Sequence, residues 1–174
     1  MDKNQTIILG GGCFWCTEAA FLRVPGVLSV KPGYAGGSKP NSTYEEVCAG
    51  DTGHAEVVKV EFDPAVVPLE KILELFFLIH DPTSLNRQGN DVGTQYRSII
   101  LYSTDEQKEF IMRYVEQIKN NYQKPLVTEV KKNDVFYEAE EYHHNYFARN
   151  LDKAYCQVVI APKVKKIEEI LENY

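Results

Sequence analysis

The sequence lacks any long apolar run near its start: ahead of the first glycines the apolar stretch is residues 7–9, whereas a signal-peptide core needs at least about 7 residues and a membrane span about 20. Cytoplasmic residence is therefore expected. It also lacks positive charge: 19 Lys and Arg stand against 25 Asp and Glu, a formal net charge of −6, so no global field draws phosphate backbones or anionic lipid. Neither nucleic acid nor a membrane surface is expected as a partner. Cysteine is scarce, with four residues at positions 13, 16, 48 and 156, too few and too unevenly placed for a secreted disulfide scaffold. They should begin as thiols, and any role they have rests on reactivity. Internal repeats, low-complexity tracts and Pro/Gly/Ser linkers are missing as well. Residues 1–174 are thus read as a single domain, long enough to bury a core without cross-links.

What is there reads as an intermixed α+β chain. Residues 6–9 form a short β-prone run that ends in Gly10, Gly11 and Gly12, and residues 14–22 have helical length and composition, which puts Cys13 at a strand-to-helix junction. Residues 27–34 and 55–62 alternate as strands. Pro68 suits the first turn of a helix that follows over 69–80. A strand is expected over 97–102, then a long amphipathic helix opened by Thr104 and Gln107 as a capping-box pair. Residues 126–130 and 157–160 read as further strands, and Pro162 opens a last helix running to about residue 173. Between His80 and Arg97 lies a long polar loop with two glycines, a length that in compact domains usually marks function. Signals that alternate irregularly, without repeating βαβ units, predict a mixed sheet with helices packed on it.

Cys13-Phe14-Trp15-Cys16 carries the chemistry. A thiol is nucleophilic only as thiolate, and the unpaired N–H groups of a helix start favour negative charge, so Cys13 has a favourable location. The preceding glycines allow close backbone approach, and Phe14 and Trp15 supply walls for an apolar pocket. The bland reading of an isolated cysteine is a buried core thiol; the second sulfur three residues on shifts the balance, because it permits exchange or metal binding. Structural zinc would need two further ligands, and Cys48, Cys156, His54, His80, His143 and His144 form no second cluster at ligand spacing. No metal and no cofactor are expected. Cys48 is most simply a packed core thiol, and the acidic run 138–141 and basic run 163–166 read as solvated faces.

These motifs, in this order, resemble the peptide methionine sulfoxide reductases of the A type: Gly12-Cys13-Phe14-Trp15-Cys16, Gly33-Tyr34-Ala35-Gly36-Gly37, Thr43-Tyr44-Glu45-Glu46-Val47-Cys48, Gly53-His54-Ala55-Glu56, His80-Asp81-Pro82, Arg87-Gln88-Gly89-Asn90-Asp91, Gly93-Thr94-Gln95-Tyr96-Arg97-Ser98 and Tyr155-Cys156. The resemblance implies a two-layer, ferredoxin-like plait and a single catalytic domain that acts as a monomer. It implies reduction of the S epimer of methionine sulfoxide, free or in oxidised proteins, with thioredoxin as the external reductant.

The same resemblance distributes roles. Cys13 would attack the sulfoxide sulfur and end as a sulfenic acid. Sulfoxide oxygen leaves only when protonated, which calls for a carboxyl kept neutral by an apolar setting, and Glu56 matches the family's acid. Tyr44 and Tyr96 would donate hydrogen bonds to the oxygen, Asp91 would arrange the site, and Phe14 and Trp15 would hold the substrate's methyl group. Resolution of the sulfenic acid needs a second thiol. Cys16 is local and Cys156 matches a family position near the C-terminal segment, so both stay open, with Cys16 favoured first and a relay to Cys156 allowed. Relatives often carry Gly where this chain has Cys16. Two other functions remain in view: a thioredoxin-like disulfide exchanger, which would leave Glu56, Tyr44 and Tyr96 without work, and a non-catalytic module that binds methionine-containing peptides.

Overall fold

The computed structural model describes residues 4–38, 43–49 and 52–172. The chain forms β1 (Gln5–Gly10), α1 (Phe14–Phe21), β2 (Val27–Ala35), α2 (Tyr44–Cys48), β3 (Ala55–Phe62), α3 (Leu69–Leu78), the short pair β4 (Arg87–Gln88) and β5 (Asp91–Val92), and β6 (Ile99–Tyr102). There follow α4 (Asp105–Ile118), β7 (Glu129–Lys132), β8 (Phe136–Glu138), α5 (Tyr146–Arg149) and α6 (Ala161–Glu172). Six strands make one mixed sheet in the order β7-β6-β1-β3-β2-β8. Every pairing is antiparallel except β6 with β7.

Alternation along the strands decides which side chains meet the helices. Ile7 and Leu9 of β1 and Val58, Val60 and Phe62 of β3 face one way, into a cluster with Leu73, Phe76, Phe14 and Ile111 from the helices. Ile8, Ala35, Ala55, Val57, Ile99 and Leu101 line the opposite face with Phe136. Glu56 keeps step with Val58 and Val60, so a carboxyl is aimed at the helix side, and its cross-strand partner is Tyr34. That parity alone brings an acid to the layer in which α1 begins.

Most expected elements appear within a residue or two of their predicted bounds. Half of the capping box read at α4 forms as expected, the Thr104 side chain accepting from the Gln107 N–H at 3.2 Å, while the Gln107 Oε1 accepts from the Ser103 N–H at 2.8 Å, one residue before the cap. Three readings are corrected. Residues 157–160, expected as a strand, lie in a π-helical turn over Cys156–Ile160 that runs straight into α6. Cys156 and Ile160 point inward from that turn, a helical spacing that the β-branched composition concealed. The strand expected over 126–130 lies at Glu129–Lys132, because the partner it joins in parallel begins only at Ile99. The acidic run 138–141 is not uniformly solvated: the Tyr34 hydroxyl donates to Glu140 Oε1 at 3.1 Å.

Two backbone devices set the floor of the site. A Cβ at Gly11 would stand 2.7 Å from the His80 ring, and Gly12, at φ 90°, would press on Gln88. His80 is fixed by its own bonds to the Phe76 carbonyl at 2.6 Å and to Ser98 Oγ at 2.8 Å. Burial pushes its pKa down to about 4, so the imidazole is neutral at physiological pH. Arg97 spans the other side, donating to the carbonyls of Thr94 and Gly53 at 2.9 Å and pairing with Glu129 at 3.2 Å. It ties the segment carrying Tyr96 to the turn before β3.

Leu73 is fully buried whereas Thr104 is an exposed cap. Leu73→Ala should lower unfolding stability by about 2–5 kcal/mol and Thr104→Ala by about 1 kcal/mol, read as shifts in urea midpoint at unchanged slope.

Candidate active site

The centre of the site is where α1 starts over the helix-facing side of β3. Cys13 is the N-cap residue of α1, in extended conformation, and its carbonyl accepts from Cys16 N at 3.1 Å. The Phe14 N–H, one of the unpaired donors of that helix start, points at Glu56 Oε1 at 3.3 Å. The other oxygen, Oε2, is buried with no hydrogen-bond partner among the described residues. Burial dominates the carboxyl, and the Asp91 charge adds to it. Together they outweigh the Phe14 N–H and the Cys13 thiol, and the pKa rises to about 8. Glu56 therefore carries a proton at neutral pH.

Burial also decides the state of Cys13, which is 7% exposed. Its thiol is pushed well above the ordinary range by desolvation first, then by the charges of Glu56 and Cys16, while the Trp15 N–H and the Tyr155 hydroxyl pull the other way. The helix start favours negative charge at this sulfur, as expected of its location, but a few N–H dipoles do not offset removal from water. At rest this sulfur therefore carries its proton.

Asp91, on β5, receives the Tyr155 hydroxyl at 2.8 Å. Tyr155 also faces the sulfurs of Cys13 and Cys16, and burial with these acidic neighbours raises its own pKa. A cleft of about 480 Å³ reaches Cys13 between Asp81, Gln88, Asp91, Tyr155 and Lys163. Tyr44 and Tyr96 are half-buried against the same core cluster as Cys13. Cys16 and Cys156 are 2% and 0% exposed, and α1 packs against the turn that holds Cys156. The Tyr96 carbonyl accepts from the Gly12 N–H at 3.2 Å and the Tyr44 ring lies 4.6 Å from that of His143, so both border the start of α1. Gly50, Asp51 and the Cys48 side chain, whose core packing was expected, lie outside the described residues.

Phe14 is fully buried, with the rings of Tyr34 and His143 at 5.7 and 5.1 Å. Trp15 is half-buried, stacked on Tyr146 at 3.7 Å and 7° between planes, and its Nε1 donates to His143 Nδ1 at 3.0 Å. Bonded at Nδ1 and pushed down in pKa by burial, the His143 ring is neutral. The sequence reading gave His143 and Tyr155 no role at the site and did not single out Tyr146. The hints were the Tyr155-Cys156 pair and the aromatic density between residues 142 and 155, which has no periodicity to exploit. Among the described residues no group of three or more His, Cys, Asp or Glu is arranged to hold a metal ion.

Linkage fixes the sign of a pH test. A carboxyl whose folded pKa is raised binds its proton more tightly in the folded state, so its stability contribution is lost as pH climbs from the unfolded value to about 8. Glu56→Gln should gain stability relative to the unmodified protein between about pH 5 and 8 and hold that gain above, read by urea denaturation at stepped pH.

A family model for peptide methionine sulfoxide reductase matches residues 5–173. The peptide methionine sulfoxide reductase MsrA of Saccharolobus solfataricus is 57% identical over 169 residues, covering 97% of this chain and 96% of that one. The reduced form of Mxr1 from Saccharomyces cerevisiae superposes with a TM-score of 0.84 at 36% identity, over 88% of this chain and 90% of that one. Mxr1 in complex with Trx2 matches with a TM-score of 0.61 at 26% identity, over 83% and 85%.

Proposed function

The chain belongs to the peptide methionine sulfoxide reductase family, and from that premise we propose that it reduces the S epimer of methionine sulfoxide, free or in oxidised proteins, and is recycled by thioredoxin. The observation that carries the mechanism is the buried pair of Cys13 and Glu56, two groups that both keep their protons at neutral pH. Glu56 gives its proton to the sulfoxide oxygen and takes up the proton that Cys13 releases. The sulfoxide sulfur gains two electrons and leaves as methionine; Cys13 loses two and holds the oxygen as sulfenic acid. No proton is consumed overall. The unpartnered Oε2 leaves the carboxyl free to serve an incoming oxygen.

The remaining roles follow from chemistry and position. Tyr44 and Tyr96 donate hydrogen bonds to the oxygen, and Asp91, held by Tyr155, keeps Glu56 protonated by its negative charge. Trp15, braced by His143 and Tyr146, and Phe14 hold the methyl end. Cys16 resolves the sulfenic acid first, since it starts on the same helical turn. A relay to Cys156 stays open, since α1 packs against the turn that holds it. The complex of Mxr1 with Trx2 supports thioredoxin as the reductant, and a compartment that supplies it reduced is cytoplasmic.

The finer reading of the fold is a two-layer, ferredoxin-like plait forming one catalytic domain. The order β6-β1-β3-β2, all antiparallel, supports it, with β7 and β8 added at the edges.

The test is sulfoxide-dependent oxidation of NADPH through thioredoxin reductase and thioredoxin. Turnover should vanish in Cys13→Ser and fall about 10²–10⁴-fold in Glu56→Gln. In the unmodified enzyme the reductase step should decline as pH passes about 8. NADPH oxidation driven by protein disulfides without sulfoxide would point to a disulfide exchanger and sink this reading.

A further inference from the structure

The basic run 163–166 was expected to be a solvated face, and the structure divides it. Lys166 Nζ donates to the Leu78 carbonyl at 3.0 Å, where it caps the end of α3. Lys163, one turn earlier on α6, is half-buried and lines the cleft that ends on Cys13 and Tyr155. It makes no ion pair or hydrogen bond among the described residues. The two acids that share the cleft are engaged elsewhere: Asp81 Oδ1 accepts from the Thr83 N–H at 2.9 Å and its hydroxyl at 2.6 Å, and Asp91 Oδ2 holds Tyr155. α6 itself packs against α1, the helix that carries Cys16.

An unpaired ammonium lining the same cleft as Cys13, on a helix packed against the one that carries Cys16, calls for an anion that forms during turnover. We propose that Lys163 is a positioning residue for the resolving step, its charge stabilising the Cys16 thiolate that attacks the Cys13 sulfenic acid. This rests on Cys16 being the first resolving thiol. In that step the sulfur of Cys16 bonds to the sulfur of Cys13, the S–O bond breaks, and hydroxide leaves with one proton as water; the sulfenic sulfur is reduced and the Cys16 sulfur oxidised. When thioredoxin later cleaves the bond at Cys13, Cys16 departs as the same thiolate, so one charge assists both directions of exchange.

The balance of groups around Cys16 agrees with this role. Burial raises its pKa, and Lys163 is the leading influence that lowers it, followed by the Tyr155 hydroxyl. Asp91 and Cys156 act against it, and Cys16 in turn raises the pKa of Cys13. Lowering a thiol's pKa has two opposed effects: the thiolate fraction rises tenfold per unit, while nucleophilicity falls by roughly a factor of three. Below the thiol range the first effect wins; above it only the second remains.

The experiment compares the full-length chain with Lys163→Met and Lys163→Arg. In rapid-quench single turnover, Cys13–Cys16 disulfide formation, mapped by mass spectrometry, should slow about threefold in Lys163→Met at pH 7. It should match or exceed the unmodified rate at high pH, and Lys163→Arg should restore the pH 7 rate. Sulfenic acid formation should be unchanged. Thiolate absorbance of Cys16, titrated in a Cys13→Ser, Cys48→Ser, Cys156→Ser background, should move to higher pH in Lys163→Met and return in Lys163→Arg. That titration does not depend on which disulfide forms. An unmoved titration, or a slowing equal at every pH and not rescued by Arg, overturns the role of Lys163. A shifted titration with only Cys13–Cys156 bonds at the first turnover overturns the Cys16 reading beneath it, and with it the step assigned to Lys163.

Discussion

Everything at the site depends on one burial. β3 aims Glu56 at the helix layer, where its carboxyl is 1% exposed and meets the first N–H of α1. In water that carboxyl would be ionised at neutral pH and useless as an acid. Inside the protein, the cost of charging it in a low-dielectric setting exceeds what a single N–H bond returns, so it keeps its proton. The same desolvation keeps the neighbouring thiol protonated. The two groups form a proton-holding pair that changes only when an acceptor enters between them.

Around this pair the fold supplies rigid backing. Gly11 and Gly12 let the chain pass beneath His80 and Gln88, and Arg97 ties the Tyr96 segment to the start of β3. The polar loop after α3 is not structureless: it carries the β4–β5 pair, and Asp91 reaches across to Tyr155. Buried polar groups are costly unless satisfied, and here nearly each one doubles as a strut. The segment after β8 closes the aromatic wall by placing His143 and Tyr146 on Trp15.

Strands β1, β2, β3 and β6, the three longer helices and the α4 cap were legible because each depends on periods of two or 3.6 residues and on local side-chain bonds. The turn at Cys156–Ile160 was not. Its Gln-Val-Val-Ile composition favours a strand, and only packing against α1 rewards the helical path. Short β8 and α5 escaped for a related reason, since three or four residues carry too little pattern to read. The basic run 163–166 looked uniform, yet rotation along α6 sends one lysine to a carbonyl and another to the reactive cleft.

By itself the amino-acid order determined which residue types stand in the family's motifs: a Cys-Phe-Trp-Cys stretch behind glycines, an acid opening an alternating strand, two tyrosines and an aspartate. It determined the helix start beneath Cys13, because that start is a local property of the chain. Only the tertiary structure decided the protonation of Cys13 and Glu56, the bond from Tyr155 to Asp91, and the neutral His143 behind Trp15. The physical reason is range. Helix starts and strand alternation arise from neighbours within a few residues, whereas desolvation and side-chain networks join positions 42 to 128 residues apart and exist only once the layers have closed on one another.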